Sequence, residues 1–492
     1  MGQDVESTEF TGKDRQRYRE KVRRCLDVFA KMLAEAKFEF ERPLTGLEIE
    51  FNLIDDKHDP AMKNAEVLAA IANPDFQTEL ARFNIEINVK PRELRGGSSE
   101  QLEADLRASL NDAEERASDQ GAHIVMIGIL PTLVPADLTS DALSDNARYA
   151  LLDSQIFAAR GEDLHIAING PERLSTYSDT IAPEAACTSV QFHLQVSPQD
   201  YAKNWNAAQA IAGVQLALGA NSPFLLGKEL WRETRIPLFE QATDTRPAEL
   251  KAQGVRPRVW FGERWINSVF DQFEENVTYF PAILPVCDDE QPEEVLARGD
   301  IPQLSELRMH NGTVYRWNRP VYDVYRGKPH LRVENRVLPA GPSVVDILAN
   351  GAFYYGLLKV LTEEDRPIWT RLSFAAAEDN FHAGARHGIN ARLYWPGLGE
   401  VPATELVLRR LLPMAYTGLD RWGVDPAVRD RLLGIIEQRC IQHTNGAEWQ
   451  VGMVQKLESE HRSMDRRTAL REMVGQYLRH MHANEPVHTW PL

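Results

Sequence analysis

The 492-residue chain has only four cysteines, Cys25, Cys187, Cys287 and Cys440, and no two stand at CxxC spacing. That excludes a zinc ribbon and a disulfide scaffold, and it fits a reducing, cytoplasmic setting. Positive charge is also in deficit, with 55 Lys and Arg against 72 Asp and Glu and a formal charge of -17. A non-specific nucleic-acid binder carries a basic footprint, so no nucleic-acid partner is expected. Long hydrophobic runs are scarce: no segment reads as near the roughly 18 apolar residues of a membrane helix, so no membrane partner is expected. The opening stretch MGQDVESTEFTGKDRQRYREKVRR lacks the apolar core of a secretory signal. Phosphate-cradling loops are missing too. Gly227-Lys228 is followed by Glu229 and has no glycine upstream at P-loop spacing, and Gly397-Leu398-Gly399 lacks the third glycine of a dinucleotide turn. Neither GxSxG nor HExxH occurs. Any nucleotide must therefore be held by other means.

What remains, 43% hydrophobic and 26% charged, is the composition of a folded globular protein. Between Lys13 and Ala36, Tyr18, Val22, Leu26, Phe29 and Leu33 recur at steps of three or four, which predicts an amphipathic helix. After Pro43 the period drops to 2, and short strands mix with helices until about residue 400. From Pro402 the pattern is helical again, through Val428–Ile441 and Arg467–His482. The expected organisation is an N-terminal helix within 1–42, a catalytic body over 43–400 and a C-terminal helical region over 401–492. The acidic stretch from Asp288 to Asp300 is expected to be an exposed insertion.

Four segments alternate strictly, and their polar positions are of one kind. In Leu47–Leu53, Glu48, Glu50 and Asn52 share a face; in Ile85–Val89, Glu86 and Asn88 do. Val190–Val196 offers Gln191, His193 and Gln195, and Leu331–Val337 offers Arg332, Glu334 and Arg336, with Asn335 on the apolar side. Neighbours on such a face lie roughly 6.6 Å apart, a spacing that suits two adjacent hard cations or one shared site. Alternation alone is also the mark of a solvated sheet face, but such faces favour Thr, Lys and Ser, and none stands here. If the four strands share a sheet, their carboxylates converge and need cations or arginines to neutralise them. Mg²⁺ prefers carboxylate oxygens and is completed by substrate phosphates, while arginines stabilise transferring phosphoryl groups. The pattern suggests a nucleoside triphosphate bound through several Mg²⁺ ions, with His193 either a nitrogen ligand or an ordinary satisfied histidine.

Six segments in order resemble the carboxylate–amine ligases of glutamate–cysteine ligase family type 2, within the glutamine synthetase superfamily. Gly46-Leu47-Glu48-Ile49-Glu50-Phe51 is similar to its G-x-E-x-E opening strand, and Ile85-Glu86-Ile87 with Pro91 to its second metal strand. Gln191-Phe192-His193, Ala220-Asn221-Ser222-Pro223-Phe224, Glu334-Asn335-Arg336 and Asn380 through Gly388 resemble its later motifs. Two features depart from the family: Phe381-His382 replace a tryptophan-centred version, and His310–Arg319 follows no pattern of the best-known members, which marks a distinct branch.

The resemblance implies an α+β, glutamine synthetase-like fold, an antiparallel sheet forming a metal-lined funnel with helices outside and at both ends. It implies ATP- and Mg²⁺-dependent joining of a carboxylate, glutamate in the first instance, to an amine such as cysteine through an acyl phosphate. Glu48, Glu50, Glu86, His193 and Glu334 are then expected to bind about two or three Mg²⁺ ions. Arg336, Arg332 and Glu50 are expected at the reacting phosphoryl group, and Gln191, Arg235, Arg316, Asn380 and Arg386 at ATP or substrate. A homo-oligomer is compatible with this reading. A non-catalytic nucleotide or amino-acid sensor and a metal-dependent amide hydrolase are the alternatives.

Overall fold

In the computed structural model, the structure describes residues 10–35, 37–460 and 463–492. The N-terminal periodicity becomes α1 (Gly12–Ala34), opened by a capping box in which the Thr11 hydroxyl accepts from the Asp14 amide. Ala36 and residues 1–9 lie outside the described residues. The buried stripe of α1, Tyr18, Val22, Cys25, Phe29 and Met32, packs inward, and the Arg24 guanidinium reaches across to Glu293 at 2.6 Å. The acidic stretch around Pro292–Ala297 is thus docked on α1.

The four alternating segments do share one curled antiparallel sheet. Its strands are β1 (Leu44–Ile54), β2 (Phe76–Thr78), β3 (Asn84–Glu93), β4 (His123–Val125), β5 (Val190–Val196), β6 (Asn318–Tyr325) and β7 (Lys328–Asn335). The order is β6-β7-β5-β1-β3-β2, with β4 paired to the end of β1. A period of exactly two leaves each strand one apolar face: Leu47, Ile49, Phe51, Ile85, Ile87, Val190, Phe192, Leu194, Leu331 and Val333 are all buried.

Two long helices are central to this apolar side, α2 (Tyr201–Gly219) and α3 (Val344–Leu361). The expectation that no segment approaches membrane-spanning character needs correcting for α3. Its 18 residues have a mean hydropathy of 1.4, but 89% of that span is buried inside the protein. Being apolar all round is what a helix needs when sheet and helices enclose it on every side. Asn335, the polar exception on this face, is satisfied in an amide ladder: it accepts from Gln215 Nε2 at 3.0 Å and donates to Asn318 Oδ1 at 2.7 Å.

A third helix, α4 (Phe374–His387), crosses α2 at a contact only glycine permits. A Cβ on Gly384 would stand 2.2 Å from the Gly213 carbonyl oxygen, and one on Gly213 would stand 2.4 Å from the Asn380 oxygen. Part of the late motif is therefore a packing signal.

The C-terminal segment forms α5 (Leu412–Trp422), α6 (Pro426–Gln442), α7 (Gly446–Glu460) and α8 (Arg466–Ala483). The Ala220–Phe224 loop ties it to the body. Asn221 donates to Tyr477 Oη on α8 and accepts from Gln450 Nε2 on α7, both at 2.8 Å. Its backbone amide and the Ser222 hydroxyl donate to buried Glu233, as does Arg235 Nε at 2.7 Å. One continuous hydrophobic core runs from Cys25 to Trp490.

Gly384→Ala should lower the thermal unfolding midpoint, at a cost of about 1–3 kcal/mol, because backbone rather than a flexible side chain must yield. Gly434→Ala, in α6 where a Cβ meets nothing within 4 Å, should leave the midpoint unchanged or raise it.

Candidate active site

Strand register sets the site. Glu48 lies between Asn88 and Gln191, Glu50 opposes Glu86, and Glu334 opposes both His193 and Arg319. Gly46 faces His193, and a Cβ there would stand 3.3 Å from the His193 Cβ, so the glycine leaves room for the ring. Five strands thus present their polar residues as one lattice.

At one corner, Glu50, Glu79 and Glu86 offer carboxylate oxygens that all lie within 4.8 Å of one another. Glu79 comes from the turn between β2 and β3, and neither periodicity nor a motif singles it out. Burial, reinforced by the charges of Glu86 and Glu50, pushes the Glu79 carboxyl well above the ordinary range. Burial and Glu48 push Glu86 up as well. Among the described residues neither carboxylate has an ion-pair partner. Three hard oxygen donors at this separation fit an oxygen-seeking divalent cation such as Mg²⁺.

A hydrogen-bonded chain leads from this corner across the sheet. Glu50 accepts from the Ser189 amide at 2.6 Å and from Gln191 Nε2 at 2.9 Å. Arg336 Nη1 donates to Gln191 Oε1 at 2.7 Å and to Glu334 Oε1 at 2.8 Å, and Arg319 donates to Glu334 Oε2 at 2.9 Å. Burial would raise the Glu334 carboxyl, but Arg319 and Arg336 outweigh it and hold the group well below its ordinary range. Between the two clusters, Glu48 Oε1 stands 3.1 Å from His193 Nε2. Arg332 Nε donates to His193 Nδ1 at 3.1 Å, and a guanidinium only donates, so a neutral ring carries its proton on Nε2. Nδ1 is thus engaged, whereas Nε2, close to Glu48, makes no hydrogen bond among the described residues. A second Arg332 nitrogen donates to Asp323 at 3.2 Å.

Beside the carboxylates lies a cavity of about 70 Å³, lined by Glu50, Glu79, Glu184, Cys187, Ser189, Arg235, Phe239, Arg316, Trp317 and Arg336 among others. Arg235 lines it but is committed to Glu233 and to the Val337 carbonyl. Arg316 is held by Glu275 and Asn276, each at 2.9 Å. Of the residues expected at ATP or substrate, Arg235 and Arg316 line this cavity, and Gln191, Asn380 and Arg386 do not. The Asn380 amide is occupied in both directions by the Tyr394 backbone, and Arg386 is exposed with its guanidinium 5.6 Å over the Trp231 ring. Glu79, Glu184 and Trp317 were not singled out by the sequence, since each is an isolated residue in a turn, a short helix or a strand connection.

Glu184 supplies a pH test. Burial pushes its carboxyl up to about 8 from an ordinary value of 4.5, against the pull of Arg336. The folded state therefore holds a proton that the unfolded chain releases, so stability present below about pH 4.5 is lost as pH rises towards 8. Glu79 and Glu86 act with the same sign. The thermal midpoint of metal-free protein should fall across this window in calorimetry, and Glu184→Gln should make the fall shallower.

Comparison with known proteins agrees with this architecture. The glutamate–cysteine ligase of Francisella tularensis, in complex with AMP, aligns with a TM-score of 0.53 at 13% identity, over 92% of this chain and 96% of that one. A bifunctional glutathione synthetase from Pasteurella multocida gives 0.50 at 13% identity, over 93% of this chain and 55% of that one. At such identity the likeness is one of fold. Comparison with curated proteins gives no match. The family described as glutamate-cysteine ligase family 2 matches residues 44–441, a span that contains all seven strands of the sheet and every motif quoted above. The chain belongs to glutamate–cysteine ligase family 2 and is an enzyme of the carboxylate–amine ligase class.

Proposed function

We propose that the protein is an ATP- and Mg²⁺-dependent ligase that joins a γ-carboxylate, glutamate in the first instance, to an amine such as that of cysteine. The observation that carries this reading is the Glu50–Glu79–Glu86 cluster linked through Gln191 to Arg336 on one sheet face. A hydrolase would need the carboxylates but not the paired arginines, and a sensor would need neither so densely arranged.

Glu50, Glu79 and Glu86, with Glu48 and the remaining lone pairs of Glu334, would hold Mg²⁺, which supplies charge neutralisation for the ATP phosphates. The donor carboxylate oxygen attacks the γ-phosphorus, the bond to the bridging oxygen breaks, and ADP leaves. Arg336, already fixed by Gln191 and Glu334, neutralises charge building on the transferring oxygens. The amine then adds to the acyl carbon, loses a proton and expels phosphate, leaving an amide. A carboxylate is a poor electrophile, which is why phosphorylation must come first. In this reading His193, held by Arg332, stands beside Glu48, and Asn380 and Arg386 belong to the scaffold, the first because its amide is used by Tyr394 and the second because it is exposed over Trp231.

Purified protein with Mg²⁺, ATP, glutamate and a panel of amines should release ADP in an amine-dependent manner. Product formed without ADP would point to hydrolysis instead. Arg336→Lys keeps the charge but loses the planar fork, and kcat should fall about 10²-fold or more. Mg²⁺-ATP should raise the thermal midpoint of the wild type, and Glu86→Gln should respond more weakly, since one oxygen donor of the cluster is replaced by an amide.

A further inference from the structure

The cavity beside the carboxylate cluster has an unusual set of unsatisfied groups. Among the described residues, Glu184 Oε2, Ser189 Oγ, Arg316 Nε and Trp317 Nε1 are shielded from solvent and have no protein hydrogen-bond partner. All four residues line this one cavity. Arg316 and Trp317 are 3% and 2% exposed, so their free N–H groups are not solvated by default. A buried donor or acceptor without a partner costs about 1–3 kcal/mol, and four around one space point to a ligand that satisfies them together.

The surroundings hold these groups in place. Trp317 packs edge-on against Phe239 at 5.6 Å and tilted against Phe381 at 5.4 Å, and the Arg316 guanidinium is fixed by Glu275 and Asn276. Both Arg316 and Trp317 come from the His310–Arg319 segment. The space of about 70 Å³ has room for several waters and opens to solvent on one side.

The four free groups are one carboxylate acceptor, two N–H donors, one of them on a guanidinium, and the Ser189 hydroxyl, which can donate or accept. An α-amino acid presents the complement of the carboxylate and of the N–H donors, an ammonium and a carboxylate on one carbon. We infer that Glu184 receives the ammonium of an α-amino acid substrate in this cavity, while Arg316 Nε and Trp317 Nε1 bind its carboxylate. The elevated Glu184 carboxyl is consistent with this, since a buried anion awaiting its counter-cation is expected to hold a proton until one arrives. The inference rests on the ligase reading for the choice of amino acids to try, and the cavity itself is independent of that reading.

The test is calorimetric titration of the full chain, without ATP, using L-glutamate beside glutarate and L-cysteine beside 3-mercaptopropionate, followed by the other L-amino acids. The wild type should bind at least one amino acid tenfold or more tightly than the analogue lacking its amino group. Glu184→Gln should erase that preference while leaving the analogue's affinity unchanged. Loss on glutamate identifies the acyl donor as the occupant, and loss on cysteine or another amino acid identifies the acceptor. A preference retained in Glu184→Gln, or no amino acid bound by the wild type, overturns the inference. Should Glu184→Gln fail to fold, Trp317→Phe carries the test. It keeps the ring, removes one donor, and should weaken the amino acid about tenfold but not its α-amide; equal binding overturns the inference. Amino-acid binding that depends on Glu184, with no amine-dependent ADP release, would refute the ligase reading and leave this one standing.

Discussion

Like charges gathered in a poorly solvated place repel, and this protein gathers Glu50, Glu79 and Glu86 within 4.8 Å. Removed from water, such a group persists only with protons, cations or guanidinium groups to offset it. The two ends of the site face show two answers. At Glu334, Arg319 and Arg336 neutralise the carboxylate from both sides. Among the described residues no arginine forms an ion pair at the three-carboxylate corner, and burial drives Glu79 and Glu86 towards the protonated form. The site is electrostatically complete at one end and incomplete at the other, and that asymmetry is what suits it to a cation and a polyphosphate.

Holding such a surface open requires a rigid support behind it. The sheet's apolar face is packed against α2 and α3, so the strands cannot rotate their polar residues away from the lattice without exposing the core. Close approach of α2 and α4 through Gly213 and Gly384 brings Phe381 under Trp317, and hence under the cavity wall. The buried Asn221–Glu233–Arg235 network fastens α7 and α8 to the same wall. Segments far apart in the chain, including the C-terminal helices, thereby share the task of fixing side chains at the site.

Family resemblance and physical role do not coincide residue by residue. Asn380 and Arg386 sit in a motif shared with ligases, yet the amide of the first pins the Tyr394 backbone and the second is exposed over Trp231. Asn221 and Ser222 sit in another and work as a buried latch. Arg316 and Trp317, outside the quoted motifs, line the cavity with free donors. A motif records what a fold needs as well as what a reaction needs.

The sequence by itself determined the polar lattice: strict alternation put Glu48, Glu50, Glu86, Gln191, His193, Glu334 and Arg336 on predictable strand faces, since a period of two admits no other assignment once one face is apolar. It also determined α1 and the helical C-terminal region, through apolar spacing alone. Tertiary structure decided the rest. Glu79, Glu184 and Trp317 reach the site from connections and short elements, where no periodicity marks a side chain's direction. Whether α3 spans a membrane or fills a core is also invisible locally, because an all-apolar helix suits either, and only its enclosure by the sheet and neighbouring helices settles the matter. Direction along a regular strand or helix is a local property of the chain; convergence of separate segments on one point is not.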